Sequence, residues 1–192
     1  MFELETWTRY LGEEIKVHAN GTVDIRVPRR YYASIMEIAG MTCCKQVASP
    51  FAEKNRDLVD STPLSTQDHA MYRSVVGKAI WLAMRRPDIS FATKELGRHV
   101  QTPTEGDMVA CKRLIRYLQG TQDVVLRLEY SHRDDRAPLS AGVVVQAVTD
   151  ASWGSQEARS STTGGTIWLE GMLLSHWAHT QGGVAQSSCE AE

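Results

Sequence analysis

Apolar and polar residues alternate with a period of two near both ends of the chain, and the middle follows a helical spacing. Residues 14–18 and 22–27 each alternate strictly, as half-buried strands do. Asn20-Gly21 separates the two runs, and both of these residues tolerate a positive φ. The first thirty residues therefore predict a β-hairpin closed by a type I′ turn.

Apolar residues spaced three and four apart predict four helices, over about 31–40, 65–84, 87–100 and 104–120. Ser, Thr, Asp, Pro and Gly residues suited to helix ends support these boundaries. The polar residues 48–66, with two prolines, predict an exposed connection. Three of the helices have clear apolar stripes: Tyr32, Ile35, Met36 and Ala39; Tyr72, Val75, Val76, Ala79 and Ala83; and Met108, Cys111, Ile115 and Leu118.

Strand-like runs return in the last third of the chain. Residues 124–130 alternate, and Gly142–Asp150, Thr163–Glu170 and Leu173–Ala178 are short apolar runs bounded by turn residues. Residues 187–192 are typical of the first turn of a helix. The whole pattern predicts an α+β fold with a hairpin, a helical middle and a final set of strands.

The composition is that of an ordinary globular chain. Its 192 residues are 42% hydrophobic and 23% charged, which excludes wholesale disorder. No apolar stretch approaches the ~20 residues of a membrane helix, and the N-terminus lacks a signal-peptide pattern. The four cysteines form neither a disulfide framework nor a CxxC pair. We therefore expect reduced thiols, an intracellular location and no membrane partner.

The net charge of −2 hides an uneven distribution. Residues 71–120 carry nine basic and four acidic side chains, and residues 121–192 carry four basic and nine acidic ones. A basic middle beside an acidic end fits a surface for phosphates next to a site for metal ions. Solvated helix faces of incidental sign explain the charges equally well.

Three carboxylates form a candidate metal site. Asp150 ends an apolar strand, and Glu190 and Glu192 lie in the first turn of the last helix. A strand-end Asp facing a helix Glu can place two oxygen ligands on Mg²⁺, and paired ions can hydrolyse a phosphodiester. On the residues alone, a turn Asp and acids that answer the helix macrodipole are the favoured explanation.

Eight short segments add a further pattern. They are Tyr10–Ile15, Tyr72–Gly77, Arg86–Ala92, Arg113–Thr121, Thr149–Trp153, Arg159–Gly164, Ser175–Trp177 and Ser187–Glu192. In this order, over residues 10–192, the chain resembles the Pol polyprotein of copia-type LTR retrotransposons after its polymerase active site. Each segment alone is weak, whereas eight in sequence are strong.

The resemblance implies an order of structural parts. Residues 1–30 correspond to the end of the palm, with the hairpin that grips the primer, and residues 31–122 to a helical thumb with a linker at about 48–66. Residues 123–142 correspond to a connecting strand and loop, and residues 143–192 to the first half of an RNase H domain. The expected fold is therefore α+β, with an incomplete RNase H-like sheet at its end.

The resemblance also implies catalytic residues. The first RNase H carboxylate falls on Asp150. The second falls on Glu192 rather than Glu190, because this glutamate generally stands five residues after a helix-starting Ser or Thr, here Ser187. Asp150 and Glu192 would then ligate Mg²⁺.

A polar stripe on the helix at 68–84 is a candidate nucleic-acid surface that the resemblance supports. Its glycine allows close approach of a nucleic-acid backbone, its tryptophan offers a flat surface, and its basic residues can pair with phosphates. A packing role for Trp81 against a neighbouring helix is an equal alternative. The stripe is Ser74, Gly77, Lys78, Trp81 and Arg85, and Lys112, Arg113 and Arg116 add a second basic face. The expected partner is an RNA–DNA hybrid or another duplex.

Missing residues limit the expected activity. The family's Tyr-x-Asp-Asp polymerase motif and the later RNase H carboxylates are absent, and Ser152, His179 and Thr180 stand where an acid and two lysines are usual. We expect an inactive part of a reverse transcriptase–RNase H, or alternatively a non-catalytic nucleic-acid binder that uses the basic helices. The incomplete sheet should leave one edge open to association and be the least stable part.

Overall fold

The computed structural model describes residues 4–52, 61–129, 142–153 and 160–191. Both helices and strands occur in these ranges, which confirms the α+β class. In chain order the elements are β1 (Thr8–Tyr10), β2 (Glu13–Val17), β3 (Val23–Arg26), α1 (Arg29–Ile38), α2 (Thr66–Ala83), a 3-10 turn (Pro87–Ile89), α3 (Ser90–Arg98), α4 (Glu105–Gly120), β4 (Leu126–Leu128), β5 (Val145–Ser152), β6 (Thr162–Leu169), β7 (Met172–Thr180) and α5 (Ser188–Ala191).

The chain divides into two compact units. Residues 9–14 and 25–126 form the helical unit, and the strand unit contains residues 1–8, 15–24 and 127–192. Strands β1 to β4 form one sheet in that order, and β5, β6 and β7 form a second sheet in that order. No helix in the described ranges is long and apolar enough to span a bilayer. The domain boundaries expected from the family resemblance stay predictions.

The hairpin of β2 and β3 is confirmed, but the predicted type I′ turn is wrong. Gly21 has a φ of 85°, whereas Asn20 has no positive φ. The Gly21 N–H donates to the His18 carbonyl at 2.9 Å, which makes an ordinary turn followed by a left-handed glycine. The Asn20 side chain accepts a hydrogen bond from the Thr22 N–H at 3.0 Å. Asn20 therefore supports the loop through its side chain and not through a left-handed backbone.

Asp24 on β3 is a buried charge that is fully paired. Its carboxylate accepts two hydrogen bonds from Arg127, at 2.8 and 3.0 Å, and contacts Nε2 of His18 at 2.8 Å. The Arg127 hydrogen bonds lower the pKa of Asp24 to about 2, against the opposing effect of burial, and His18 adds to the shift.

Most residues of the predicted apolar stripes lie in the core of the helical unit. Tyr32 and Ile35 of α1, Tyr72 and Val76 of α2 and all four residues of the predicted α4 stripe are buried. Residues of α3, for which no stripe was predicted, are buried with them. Hydrophobic burial of these faces stabilises helices whose intrinsic propensity is modest. The predicted helix starts are confirmed by side-chain caps, since Ser65 accepts from the Asp68 N–H and a capping box links Thr104 and Asp107.

His99 pairs with the same capping aspartate. Its Nδ1 lies 2.5 Å from Oδ1 of Asp107. The hydrogen bond to Asp107 raises the pKa of His99, with burial opposing it. Burial raises the pKa of Asp107, but hydrogen bonds from His99 and Thr104 outweigh it, so the pKa of Asp107 is lowered.

A buried guanidinium joins three parts of the helical unit. Arg86 donates to both carboxylate oxygens of Asp88 at 2.9 and 2.7 Å, to the Tyr32 hydroxyl at 3.1 Å and to the carbonyl and hydroxyl oxygens of Thr121. The Tyr117 hydroxyl donates to Asp88 at 2.7 Å. Burial lowers the pKa of Arg86, but hydrogen bonds and charge from Asp88 outweigh it and raise the pKa. These five residues are the Arg86 network.

The Arg86 network joins the start of one predicted helix to the end of another. The helix expected from Pro87 to about Val100 begins as the 3-10 turn Pro87–Ile89, where Arg86 and Asp88 are held together. Helix α4 ends at Gly120, as predicted, and its C-cap is Thr121. Both helix ends therefore meet where hydrogen bonds fix the backbone.

The second sheet is antiparallel and built around a glycine. Gly165 on β6 pairs with Trp177 on β7. A Cβ on Gly165 would lie 2.2 Å from Cζ2 of Trp177, so the indole occupies the space of the missing side chain. The three predicted strands of this region are confirmed, each with somewhat different ends. The earlier run at 124–130 forms only β4, and Tyr130 lies outside the described residues.

Candidate nucleic-acid interface and candidate metal site

The polar stripe on α2 is assembled around an aromatic pair. The rings of Trp81 and Tyr31, which lies on α1, have centroids 4.5 Å apart with a 38° tilt. The Lys78 ammonium lies 4.9 Å from the Tyr31 ring centroid, and the Tyr31 hydroxyl donates to the Lys78 carbonyl at 3.1 Å. Trp81 therefore packs against a neighbouring helix and remains half-buried. Tyr31 was not among the residues singled out from the sequence.

The remaining stripe residues differ in how many contacts they make within the protein. Nε of Arg85 lies 2.6 Å from a Glu13 oxygen, so the Glu13 carboxylate partly neutralises the Arg85 charge within the helical unit. Ser74 is exposed and donates to the Ala70 carbonyl. Gly77 is also exposed, and a Cβ built on it would meet no atom within 4 Å. The backbone of α2 is accordingly open to an approaching molecule at Gly77.

Two large apolar residues extend this surface. Ile80 on α2 is 53% exposed, and Met84, which caps the C-terminal end of that helix, is 54% exposed. They were missed from the sequence because they lie outside both the buried stripe and the basic one. Together with Gly77 and Trp81 they give this face of α2 an apolar strip flanked by Lys78. Such a strip suits contact with sugar edges or base edges, and the ammonium suits phosphate.

The basic face of α4 is bound to the loop after α1. Nε of Arg116 donates to the Lys45 carbonyl at 2.7 Å, which brings the Lys45 segment to α4. Lys112 is exposed, whereas Arg113 is half-buried. The face therefore presents Lys112 to solvent and uses Arg116 partly for structure.

Asp150 lies near the end of β5 and is exposed. It pairs with Gly164 of β6, which pairs with Ala178 of β7, so these three residues share one face of the sheet. The small neighbours leave the carboxylate open to solvent.

Glu190 caps the helix that carries it. Its carboxylate accepts from the Gln186 N–H at 2.7 Å, and its own N–H donates to the Ser187 hydroxyl at 3.2 Å. The residues alone had favoured an acid that answers the helix macrodipole, and a carboxylate at the start of the helix is consistent with that interpretation. Glu192 lies outside the described residues.

Side-chain amide and indole groups tie the last segment to the sheet. Nε2 of Gln181 donates to the Thr163 hydroxyl at 2.6 Å and to the Ala191 carbonyl at 2.5 Å. Nε1 of Trp153 donates to the Ala185 carbonyl at 2.8 Å. Thr163 pairs with Ala151, so its side chain lies on the face opposite that of Asp150.

A metal donor set is not assembled by the described residues. No group of three or more His, Cys, Asp or Glu side chains that could hold an ion occurs in ranges 4–52, 61–129, 142–153 and 160–191. His176 and His179 both lie on β7, where a spacing of three directs them to opposite faces. Mg²⁺ needs several oxygen ligands in near-octahedral geometry, and Glu192, the preferred second ligand, lies outside the described residues.

Comparisons with known proteins identify relatives along nearly the whole chain. The chain is 32% identical over 184 residues to an uncharacterized mitochondrial protein of Arabidopsis thaliana. This match covers 95% of this chain and 71% of that protein. It is 33% identical over 166 residues to the retrovirus-related Pol polyprotein from transposon RE1 and 32% identical over 165 residues to that from transposon RE2, both of Arabidopsis thaliana.

The matches to RE1 and RE2 cover 85% of this chain but only 11% of either polyprotein. No protein-family model and no solved structure matches the chain. The relatives agree with the eight ordered segments of the sequence, and the chain therefore belongs to the family of copia-type, retrovirus-related Pol polyproteins.

Proposed function

We propose that the chain is the part of a reverse transcriptase–RNase H that contacts duplex nucleic acid through α2, and that it performs no catalysis alone. The parent activities would be RNA-directed DNA synthesis and hydrolysis of RNA in RNA–DNA hybrids. The observation that carries this proposal is the open backbone at Gly77, flanked on α2 by Lys78 and Trp81.

The chemistry of this surface favours a duplex ligand. Gly77 has no side chain to hold a sugar–phosphate backbone away, and Trp81 is fixed at a 4.5 Å centroid distance from Tyr31. A fixed aromatic surface loses little conformational entropy on binding. Lys78 and Lys112 supply charge for phosphates, which dominate the affinity of such contacts.

The carboxylates do not support an independent nuclease. Asp150 and Glu192 are the proposed ligands of Mg²⁺ in the family, where the ion would activate water and stabilise the leaving oxygen. Because Asp150 is exposed on the sheet and Glu190 accepts a hydrogen bond from the Gln186 N–H, we assign no hydrolytic step to these two residues. A binder without chemistry is therefore the favoured form of the proposal.

Fluorescence anisotropy with a labelled RNA–DNA hybrid tests the binding. Gly77→Ala adds one Cβ at the open backbone and should weaken binding about tenfold, equivalent to about 1.4 kcal/mol. The same change should stabilise the fold by about 0.5–1 kcal/mol, because glycine in a helix interior is unfavourable. Loss of affinity with a gain of stability cannot be explained by unfolding.

Gly97→Ala is the matched control. Gly97 lies on α3, and a Cβ on it would also meet no atom within 4 Å. This variant should bind like the wild type. Lys78→Gln should reduce the slope of log affinity against log salt by about 1. Equal affinity of the Gly77→Ala and Gly97→Ala variants would overturn the proposed surface.

A nuclease assay tests the second half of the proposal. The purified chain should not cleave the hybrid when Mg²⁺ is added. Mg²⁺-dependent cleavage that disappears in Asp150→Asn would refute the claim of inactivity and restore an enzyme, whatever the result of the binding experiment.

A further inference from the structure

Strand β5 has an open edge. It pairs with β6 from Val145–Leu169 to Ser152–Thr162 without interruption. The strand order β5-β6-β7 puts it at the side of the sheet, and no strand among the described residues pairs with its other side. Its outward N–H and C=O groups are consequently a template for another strand.

The side chains of this edge offer no protection. Val143, Val144, Val145 and Val148 are each 57–65% exposed. Natural edge strands commonly carry lysine, proline or a bulge that prevents pairing. Residues 143–149 contain no charged residue and no proline, and the bulge in this sheet lies between β6 and β7 instead.

We propose that β5 pairs with β5 of a second copy of this chain, in antiparallel orientation about a two-fold axis near Ala147. Two three-stranded sheets would then form one six-stranded sheet. Such a contact is isologous and closes at two copies. The proposal is independent of the nucleic-acid surface on α2.

Charge selects both the partner and its direction. Asp150 is the one charged residue between 143 and 152. A parallel pair in register would place two Asp150 carboxylates about 5 Å apart and repel. Antiparallel pairing about Ala147 separates them by six residues, or about 20 Å, and places Asp150 opposite Val144. A valine-rich strand whose single carboxylate would lie opposite a valine is therefore compatible with an antiparallel copy of itself.

The other edge of the sheet supplies a control. Strand β7 is also at the side of the sheet, but most of its residues are at least half-buried and it carries two histidines. Leu174 on β7 is 57% exposed, close to the 61% of Val148 on β5. Leu174→Lys and Val148→Lys thus add the same charge to equally exposed positions on different edges.

Sedimentation equilibrium of the full chain between about 5 and 500 μM tests the proposal, a range suited to weak association. One strand per copy buries less than the about 1,200 Å² of a standard interface, so the dimer should form mainly at the upper end. The wild type and Leu174→Lys should approach twice the 21.4 kDa monomer mass. Val148→Lys should stay monomeric.

Three outcomes would overturn the proposal. They are a wild type that stays monomeric at the highest concentration, growth beyond two copies, and loss of the dimer in Leu174→Lys but not in Val148→Lys. Hydrogen exchange distinguishes a variant that has lost association from one that is misfolded. In the wild type, protection of β5 amides should rise with concentration, whereas in Val148→Lys it should not change and the β6 and β7 amides should stay protected.

Discussion

The helical unit and the β5–β7 sheet are held together by different means. The helical unit buries an apolar core drawn from α1 to α4 and a guanidinium with five hydrogen bonds. The sheet instead has one strand, β5, with seven of its eight residues exposed. The comparison teaches that one chain can combine a buried apolar core with a sheet whose edge strand is almost fully exposed.

The Arg86 network should give the largest effect when it is broken. Asp88→Ala leaves the Arg86 guanidinium buried without its counter-ion, which should cost about 3 kcal/mol in the free energy of unfolding. Hydrogen exchange should show the loss in α1 to α4 amides and leave the β6 and β7 amides unchanged.

Asp123→Ala is the control for the Arg86 network. Asp123 pairs with Arg29, but their side chains are 66% and 73% exposed. Exposed ion pairs contribute little to stability, so this variant should unfold like the wild type. Equal effects of the two substitutions would mean that burial does not distinguish the pairs.

The glycine beneath Trp177 should give an intermediate effect, confined to the sheet. Gly165→Ala places a Cβ 2.2 Å from the indole, and relieving such an overlap costs about 1–3 kcal/mol. Gly164→Ala meets only a carbonyl oxygen at 3.7 Å. The midpoint of thermal unfolding, followed by tryptophan fluorescence, should be lower in Gly165→Ala than in the wild type and unchanged in Gly164→Ala. Tolerance of both would show that Trp177 does not fix this packing.

The His99–Asp107 pair should give the smallest effect, visible as a pH dependence. The pKa of His99 is raised above 6.5, so its stabilising contribution is complete below pH 6.5 and is lost as pH rises through the folded-state pKa. The pKa of Asp107 is lowered below 3.8, so its contribution is lost as pH falls below 3.8. The difference in thermal midpoint between wild type and His99→Gln should therefore peak between these values. A difference independent of pH would contradict the pairing.

Local signals made most of the fold predictable. The hairpin, the caps at Ser65 and Thr104 and the strands after residue 142 depend on neighbours in sequence, and they are confirmed. The turn type was wrong because Asn20 can also act through its side chain. The Arg86 network could not be predicted, since Arg86 meets Tyr32 and Thr121 only after α1 and α4 have packed.

The candidate sites were less predictable for the same reason. Position on a helix identified Gly77, Lys78 and Trp81, whereas Tyr31 joins them only through the packing of α1 on α2. The position of Glu190 in the first helical turn was predicted from the sequence, and the hydrogen bonds of its carboxylate came only with the structure. A metal site would require donors from distant parts of the chain, which no local pattern predicts.

The position of Arg86 bears on how members of this family are detected. Arg86–Ala92 is one of the eight segments that carry the resemblance, and its arginine and aspartate form an ion pair within the helical unit whose guanidinium is buried. A relative that keeps the same helical packing would need this pair whether or not it keeps the residues of the two candidate sites. A match at this segment is therefore evidence of shared packing and not of shared chemistry.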